Sequence, residues 1–438
     1  MAAAVVLTAL AALLQFSGPA QAHSGFQSYV YVSIFDDAMD GRVEYPINDL
    51  GPAVGIDFTD EADARLELAL AHADEIISYT DTNLDIGDGS ETWTLRFDAE
   101  FTMLETAAGD YLQVPFQVER IFDAAPREFV TTYSGIIESN PERDALFLVE
   151  NDWGSATFGN EGEHLLGFSV GNETQQIVIE EVSTIGSMSE VAHRGSVAID
   201  RNLVILVALF TIITTALLVG RRTDDAPPSW RETVALLATR LGWFAVPALA
   251  VTGTLGLAGV EITERLAFGV GAVGVLSAAT STRLSSPAAE FAIAGSGAAA
   301  GLMLAQTFVF QQLDRSRPIL AFFSFSIGVV AATMAFALML LPLGLLLRRW
   351  RRARVIADVV AIGAAVAGAV WLLERIIDIK FPLRTAELTV ADLLTSPIVI
   401  GVVTAVVAAL VLRTATSPPP TSNSGALPAD RDTDRIEA

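Results

Sequence analysis

The sequence predicts a multi-pass α-helical membrane protein of about seven transmembrane helices with an N-terminal extracytoplasmic domain that is mostly β and sandwich-like. The first observation is that charge and apolarity are segregated. The 438-residue chain combines a formal net charge of −24 with a mean hydropathy of +0.47. Residues 23–202 contain 35 Asp and Glu against 8 Arg, a net of −27, whereas the rest contains 16 acidic and 19 basic residues, a net of +3. An acidic domain and an apolar domain therefore follow each other along the chain.

Composition also excludes several classes of function. A nucleic-acid-binding protein would carry a basic footprint, and here the polar domain is strongly acidic, so we expect no nucleic-acid partner. The chain has no Cys, which excludes disulfides, thiolate metal sites and Cys nucleophiles. No nucleophile elbow, phosphate-binding loop or pair of catalytic carboxylates stands out, so the protein is predicted not to be an enzyme.

The N-terminal segment has the pattern of an export signal. Residues 1–22 contain an apolar stretch that leads to Ala20-Gln21-Ala22, a small-x-small cleavage site, and an uncleaved anchor is the alternative. Residues 23–200 then alternate apolar and polar residues in short segments separated by Gly, Asn, Asp and Pro, as in SYVYVSI and YLQVPFQV. This pattern predicts a β-rich, sandwich-like extracytoplasmic domain. Leu and Ile at helical spacing predict one helix in it, at about residues 60–78.

Hydropathy predicts a transmembrane bundle over residues 203–412. The seven spans expected are listed here: 203–220, 241–259, 265–281, 288–310, 319–345, 355–373 and 395–412. With the acidic domain outside, the Arg-rich loops 221–240, 282–287 and 346–354 fall on the inner face, as the positive-inside rule requires. We therefore expect a multi-pass protein of the cell (plasma) membrane, with a cytoplasmic and disordered tail at 413–438 that is rich in Pro and Ser.

Two places in the acidic domain have weak features of a metal site. Signal cleavage would leave His23 as the mature N-terminus, where an α-amino group and an imidazole together chelate a divalent metal; a solvated His is the alternative. Asp81, Asn83 and Asp85 occupy the first, third and fifth positions of a calcium-loop pattern. The pattern fails at its sixth position, Ile86, and a polar helix-to-strand turn is the alternative interpretation.

Ionisable and polar residues are few in the apolar domain, and each is a candidate for function because burial in a bilayer is costly. The candidates are Asp200, Glu264, Ser326, Thr333, Asp358 and Glu374. For most of them the alternative is a side chain that reaches the interface or bonds across helices. All four His precede residue 203, so no His-based relay or metal site is expected within the spans.

The layout resembles the HupE/UreJ family of hydrogenase and urease accessory membrane proteins, in the branch with an N-terminal extracytoplasmic domain. That branch opens with Ala-His and a strand, followed by a stretch similar to GRVEYPINDL at Gly41 to Leu50. In the membrane half, Phe325-Ser-Ile-Gly-Val-Val-Ala-Ala-Thr333 is similar to the family's F-N-L-G-V-E-L-G-Q, and Trp371-Leu-Leu-Glu374-Arg375 to its W-x-x-E-R.

The resemblance implies a multi-pass scaffold with a transport or metal-accessory role for a divalent cation, but the family's polar residues are replaced. The His-bearing elements of the family match Ala198-Ile-Asp200-Arg201, Ala250-Val251-Thr252-Gly-Thr254-Leu255 and residues 295–300, which lack His, and its Asn, Glu and Gln match Ser326, Val330 and Thr333. No cofactor can be named from such a degenerate site. A non-catalytic, membrane-anchored binding protein is the alternative. The expected partners are the lipid bilayer and an extracytoplasmic partner or cation.

Overall fold

The computed structural model describes residues 27–58, 62–106, 109–159, 166–219, 230–284, 286–347 and 353–377. The predicted signal peptide at 1–22, the seventh span at 395–412 and the tail at 413–438 lie outside the described residues, as does His23. The described chain has an N-terminal region of β-sheets followed by a helical region.

Eleven described strands and three helices form the N-terminal region, which we call the β-domain. The strands are β1 (Ser28–Ile34), β2 (Met39–Pro46), β3 (Leu84–Gly87), β4 (Leu95–Phe97), β5 (Thr102–Thr106), β6 (Gly109–Val118), β7 (Glu128–Tyr133), β8 (Ala145–Asp152), β9 (Thr157–Phe158), β10 (Leu166–Phe168) and β11 (Thr174–Val178). The helices are α1 (Ile47–Val54), α2 (Ala62–Ala71) and α3 (Ala73–Asn83).

The strands make two sheets that share one core. The larger sheet has the order β10-β8-β1-β2-β6-β4, with β5 beside β6 and β9 beside β8; the smaller has the order β11-β7-β3. All pairs are antiparallel except β1 with β8. Val30, Val43 and Phe147 of the larger sheet are buried with Ile86 and Phe129 of the smaller one. The predicted β-rich domain is therefore present, with side chains from both sheets in a common core.

The helical content of the β-domain exceeds the single helix predicted at 60–78. That region contains two helices, α2 and α3, which break at His72, and α3 continues to Asn83. The additional helix α1 contains Pro52 and ends at Gly55, which has a φ of 75° and donates its N–H to the Gly51 carbonyl. A left-handed glycine at this position is a common way to end a helix. The prediction missed α1 because a run of eight residues with an internal proline lacks a clear helical pattern.

The helical region contains seven described α-helices. They are α4 (Thr184–Asp200), α5 (Leu203–Val219), α6 (Trp230–Gly256), α7 (Glu264–Thr280), α8 (Ser286–Phe310), α9 (Pro318–Leu347) and α10 (Ala353–Ile377). Helices α5 to α10 lie at the first six predicted span positions. By length and composition, α6, α8, α9 and α10 are each able to cross a membrane. Helices α4 and α5 pass the same test only together, with a bend of 76° between them.

Helix α4 lies within the range predicted as the extracytoplasmic domain and packs against a helix of the helical region. We expected residues 23–200 to be one extracytoplasmic domain, and its last segment, Thr184–Asp200, is a helix that packs against α9. The contact is between backbones: a Cβ on Gly195 would overlap the Phe325 carbonyl oxygen, and a Cβ on Gly328 would overlap the Ala192 carbonyl oxygen. Small residues allow such close helix approach. The helical region therefore begins at about residue 184.

Candidate functional site

The transmembrane candidates do not meet at one place. Glu264 is exposed in the first turn of α7, and Asp200 is exposed at the end of α4. Asp358 on α10 is half-buried and pairs with Arg283, the two charged groups lying 3.3 Å apart, just beyond the other end of α7. Since α7 has 17 residues and rises about 1.5 Å per residue, roughly 25 Å separates its two ends. The position of Glu374 is on α10, and its side chain is outside the described part.

Ser326 and Thr333 are the two candidates that share a helix face. Both are buried on α9, and their separation of seven residues is about two turns. Thr333 donates its hydroxyl to the Val329 carbonyl at 2.8 Å. The Ser326 hydroxyl has no hydrogen-bond partner among the residues that the structure describes. Thr252, from the family-like segment on α6, donates to the Gly301 carbonyl of α8 at 3.1 Å and so joins two helices.

The predicted calcium loop coincides with the end of a helix and the start of a strand. Asp81 and Asn83 lie in the last turn of α3, and Asp85 lies in β3. Asn83 uses both ends of its amide, which donates to the Tyr79 carbonyl at 2.8 Å and accepts from the Ser134 hydroxyl at 2.8 Å. Within the described ranges, no group of three or more His, Asp or Glu is arranged to hold a metal ion.

One feature that joins the β-domain to the helical region is the turn between α8 and α9. Its Arg315 pairs with Asp40 of β2, and the Arg315 guanidinium lies 4.0 Å from the centre of the Phe35 ring. Arg317 pairs with Asp36 at 3.7 Å and lies 6.0 Å from the centre of the Trp153 ring. Each arginine thus combines a carboxylate with an aromatic face, as guanidinium groups favour. We call these six residues the junction.

The turn that carries the two arginines has an unusual backbone. Gln312 and Arg317 have φ values of 53° and 46°, in the left-handed region that non-glycine residues seldom adopt. Leu313, between them, is buried. A strained turn persists when surrounding contacts hold it, and strained residues concentrate at functional sites. The contacts of Arg317 with Asp36 and Trp153 hold one of the two strained positions directly.

Trp153 is itself held by a buried carboxylate. Asp152 is 1% exposed and accepts hydrogen bonds from Arg127 at 2.5 Å and from the backbone N–H of Ser155 at 2.8 Å. The Trp153 carbonyl accepts from Ser187 of α4 at 2.7 Å. The Trp153 turn therefore contacts both α4 and the α8–α9 turn, so the β-domain is attached to the helices at two places.

A line of charges extends from the junction along β2. Asp40, Arg42 and Glu44 alternate with the core residues of this strand and so share its other face. Arg42 donates to Glu44 at 2.8 Å and to Glu150 of β8 at 2.5 Å. Although burial alone would lower the pKa of Arg42, the charges and hydrogen bonds of Glu150 and Glu44 raise it above its ordinary value. We call Glu44, Arg42, Glu150, Asp40 and Arg315 the charge ladder; it has three carboxylates and two guanidinium groups.

Within the charge ladder, Asp40 is the carboxyl group whose pKa depends on Arg315 of the junction. Burial raises the pKa of Asp40 above its ordinary value of 3.8; Arg315 opposes this through its charge and hydrogen bond, and Glu150 adds to it. A carboxyl group whose pKa is higher in the folded state stabilises the fold when protonated. This stabilisation of the folded state is complete when the pH is below the ordinary pKa of 3.8, and it is lost as the pH rises through the raised pKa of the folded state.

Replacing Asp40 by Asn is therefore expected to leave the free energy of unfolding at pH 7 unchanged or higher, because the neutral amide avoids burying a charge. Wild type is expected to gain stability relative to the variant as the pH falls from 7 towards 4. Thermal unfolding of both proteins at a series of pH values measures this difference. A wild-type protein that loses stability relative to Asp40→Asn on acidification would contradict the assigned direction of the pKa shift.

Comparison with known proteins does not assign the chain to a family: no family model, no curated protein and no solved structure matches it. The geometry of the junction therefore carries the functional argument. Sequence reasoning singled out neither Arg315 nor Arg317 as a site residue. The alternation of Asp40, Arg42 and Glu44 with apolar residues in a strand is the signal from which the other half of the site could have been found.

Proposed function

We propose that the protein is an integral membrane protein of HupE/UreJ-like layout whose acidic β-domain is an extracytoplasmic binding module coupled to the helices. The observation that carries this proposal is the junction. A domain that only displayed a binding surface would need no more than a flexible linker. Here, charged and aromatic contacts of Arg315 and Arg317 join the β-domain to a strained helix–helix turn. A hydrogen bond from Ser187 to the Trp153 carbonyl joins the β-domain to α4 as well. Binding at the β-domain would act on α8 and α9 through the turn between them.

The proposed topology has seven spans, an outer β-domain and a cytoplasmic C-terminus in the plasma membrane. Helices α5 to α10 lie at six of the seven proposed positions. Of these, α6, α8, α9 and α10 are each long and apolar enough to cross a membrane, and α4 with α5 would form one broken span. The arginines of the predicted inner loops support this orientation.

Because the chain lacks Cys, a single cysteine at Ser90 should react with an impermeant maleimide on intact cells, and one at Arg354 only after lysis. A cysteine at Arg354 that reacts on intact cells, with one at Ser90 that reacts only after lysis, would mean that the orientation is opposite to the proposed one.

Coupling is tested by reversing one charge and then restoring the pair. Arg315→Glu should expose Asp40 to a like charge and loosen the junction by about 2 kcal/mol, because an ion pair with one exposed partner contributes about 1 kcal/mol and a repulsion of similar size replaces it. Hydrogen exchange at residues 311–317 and 153–159 should then be faster by roughly 30-fold, since 1.4 kcal/mol is a factor of ten. The double variant Arg315→Glu with Asp40→Arg should recover most of the protection.

The double variant is the matched control, because it contains both substitutions and re-forms an ion pair of opposite polarity. Faster exchange that is confined to residues 311–317 in the single variant would mean that the β-domain does not depend on the turn. Equal exchange in the single and double variants would mean that the effect is unrelated to the pair. Either result would contradict the proposed coupling.

A second candidate function is a transport or metal-accessory role for a divalent cation, as the family resemblance implies. The observation that favours it is that Ser326 and Thr333 lie buried on one face of α9, with the Ser326 hydroxyl available for a polar contact among the described residues. Oxygen ligands suit hard cations. Cellular magnesium, manganese, nickel, cobalt and copper in a strain lacking the gene test this role, and unchanged contents of all five metals would exclude it.

A further inference from the structure

The end of the β-domain that faces the helices includes a further chain segment besides those that carry the junction residues. Strand β1 pairs parallel with β8 and antiparallel with β2, and β2 pairs antiparallel with β6. The chain segments that follow β1, β6 and β8 therefore emerge at the same end of the sheet. Asp36 and Trp153 lie in two of these segments and contact the α8–α9 turn. The third segment, after β6, lies beside them.

The segment after β6 presents an apolar side chain. The backbone N–H of Phe122 donates to the Asp37 carbonyl at 3.0 Å, which fixes the segment against the β1–β2 turn. Phe122 is buried and its ring packs on the edge of Trp93, the two ring centres lying 5.1 Å apart. Ile121, its neighbour, is 89% exposed. A fixed loop that points an isoleucine outwards exposes apolar surface that an aqueous environment disfavours.

A second apolar group lies where the chain enters α4. Val182 donates its backbone N–H to the Gly154 carbonyl at 2.7 Å, beside Trp153. Its side chain is exposed, and Ile185, in the first turn of α4, is 77% exposed. We call Ile121, Val182 and Ile185 the apolar rim. Val182 and Phe122, the neighbour of Ile121, each donate a backbone N–H to a segment of the junction, and Ile185 lies in the first turn of α4.

Exposed apolar side chains also flank the α8–α9 turn of the junction. Phe310 at the end of α8 and Ile319 at the start of α9 flank the turn that carries Arg315 and Arg317, and both side chains are largely exposed. These helices are long and apolar enough to cross a membrane. Residues a few ångströms above such helix ends lie in the headgroup layer, which adds roughly 5–8 Å to each side of the hydrocarbon core.

We propose that the apolar rim inserts into the interfacial layer of the membrane on either side of the junction, so that the β-domain binds lipid directly. The proposal rests on the proposed function, in which the helices span the bilayer. The charges beside the rim indicate which lipid it accepts. The exposed carboxylates are Glu119, Asp123, Glu180 and Glu181, of which Glu181 pairs with Arg127 at 3.1 Å; Arg120 is paired with Glu91. Because these carboxylates repel anionic headgroups, the partner is a zwitterionic lipid surface held by apolar contact.

The absence of cysteine from the chain makes a direct test possible. Single cysteines at Ile121 and Ile185 would carry nitroxide labels in the full chain, reconstituted in phosphatidylcholine nanodiscs. Val170→Cys is the matched control, since Val170 is another exposed aliphatic residue in a turn; it follows β10, whose last residue pairs with the first residue of β8 at the opposite end of the domain. Phe323→Cys, on the exposed face of α9, reports the bilayer itself.

The rate at which the label collides with oxygen, divided by the rate at which it collides with a water-soluble nickel chelate, is high in lipid and low in water. We expect the ratio at Ile121 and Ile185 to exceed that at Val170 several-fold and to approach that at Phe323. It should fall when part of the phosphatidylcholine is replaced by phosphatidylglycerol, and an unchanged or higher ratio would contradict the zwitterionic assignment. Ratios at Ile121 and Ile185 equal to that at Val170, with lipid contact at Phe323, would overturn this inference alone. Water contact at Phe323 would overturn the proposed function as well.

Discussion

Replacing Gly328 by Ala is expected to destabilise the full chain by about 3 kcal/mol, at the upper end of the range for overpacked sites. The added methyl group would overlap the Ala192 carbonyl oxygen and crowd the Ser196 backbone nitrogen, so α4 and α9 would have to separate. Since Ser187 of α4 also donates a hydrogen bond to the Trp153 carbonyl, separation of α4 from α9 should loosen the junction too. Thermal unfolding of the detergent-solubilised protein measures the loss.

Gly363→Ala is the matched control for this substitution. Gly363 lies on α10, and a Cβ there would meet nothing within 4 Å. Alanine favours helix over glycine by about 1 kcal/mol, so this variant should be as stable as wild type or more stable. If Gly328→Ala were as stable as Gly363→Ala, α4 would not be packed on α9 as described.

Replacing Asp152 by Ala is expected to destabilise the β-domain by about 4 kcal/mol, the usual cost of breaking a buried ion pair. The carboxylate is 1% exposed, and its loss would leave Arg127 without its 2.5 Å partner and two backbone N–H groups of the Trp153 turn without their acceptor. Urea unfolding followed by tryptophan fluorescence measures this loss. Because Trp153 contacts Arg317, the same variant should speed hydrogen exchange in residues 311–317.

Asp98→Ala tests whether burial is the cause. Asp98 also pairs with an arginine, Arg96, but at 3.7 Å and with both side chains exposed. Exposed pairs contribute at most about 1 kcal/mol, so this variant should unfold at nearly the urea concentration of wild type. Similar losses for Asp98→Ala and Asp152→Ala would contradict the view that the Trp153 turn depends on the buried carboxylate.

Local patterns predicted most of the secondary structure. Apolar runs marked α5 to α10 because a helix that faces other helices and lipid is apolar on all sides. The alternating segments marked the long strands, such as β1 and β6, because their two faces meet different environments. The helix predicted at 60–78 was placed in the right region, although its break at His72 and its end at Asn83 depend on packing within the β-domain.

Such local patterns predicted neither helix α4 nor the junction. The segment Thr184–Asp200 is too polar to be recognised as part of the bundle, and what places it there is the fit of Gly195 and Gly328 against backbone atoms of the partner helix. The junction joins Asp40 to Arg315, which are 275 residues apart. One sequence contains no information on which of its many acidic residues meets which arginine, so the site depends on the tertiary fold.

The most direct test of the central claim is the distance distribution between spin labels on the β-domain and on the helices. Labels at Val170 and Phe323, measured by double electron–electron resonance in nanodiscs, report the orientation of one part relative to the other. A rigid junction predicts one narrow distribution that broadens in Arg315→Glu and narrows again when Asp40→Arg is added. A broad distribution in wild type, equal to that of Arg315→Glu, would show that the β-domain is tethered rather than coupled and would contradict the account.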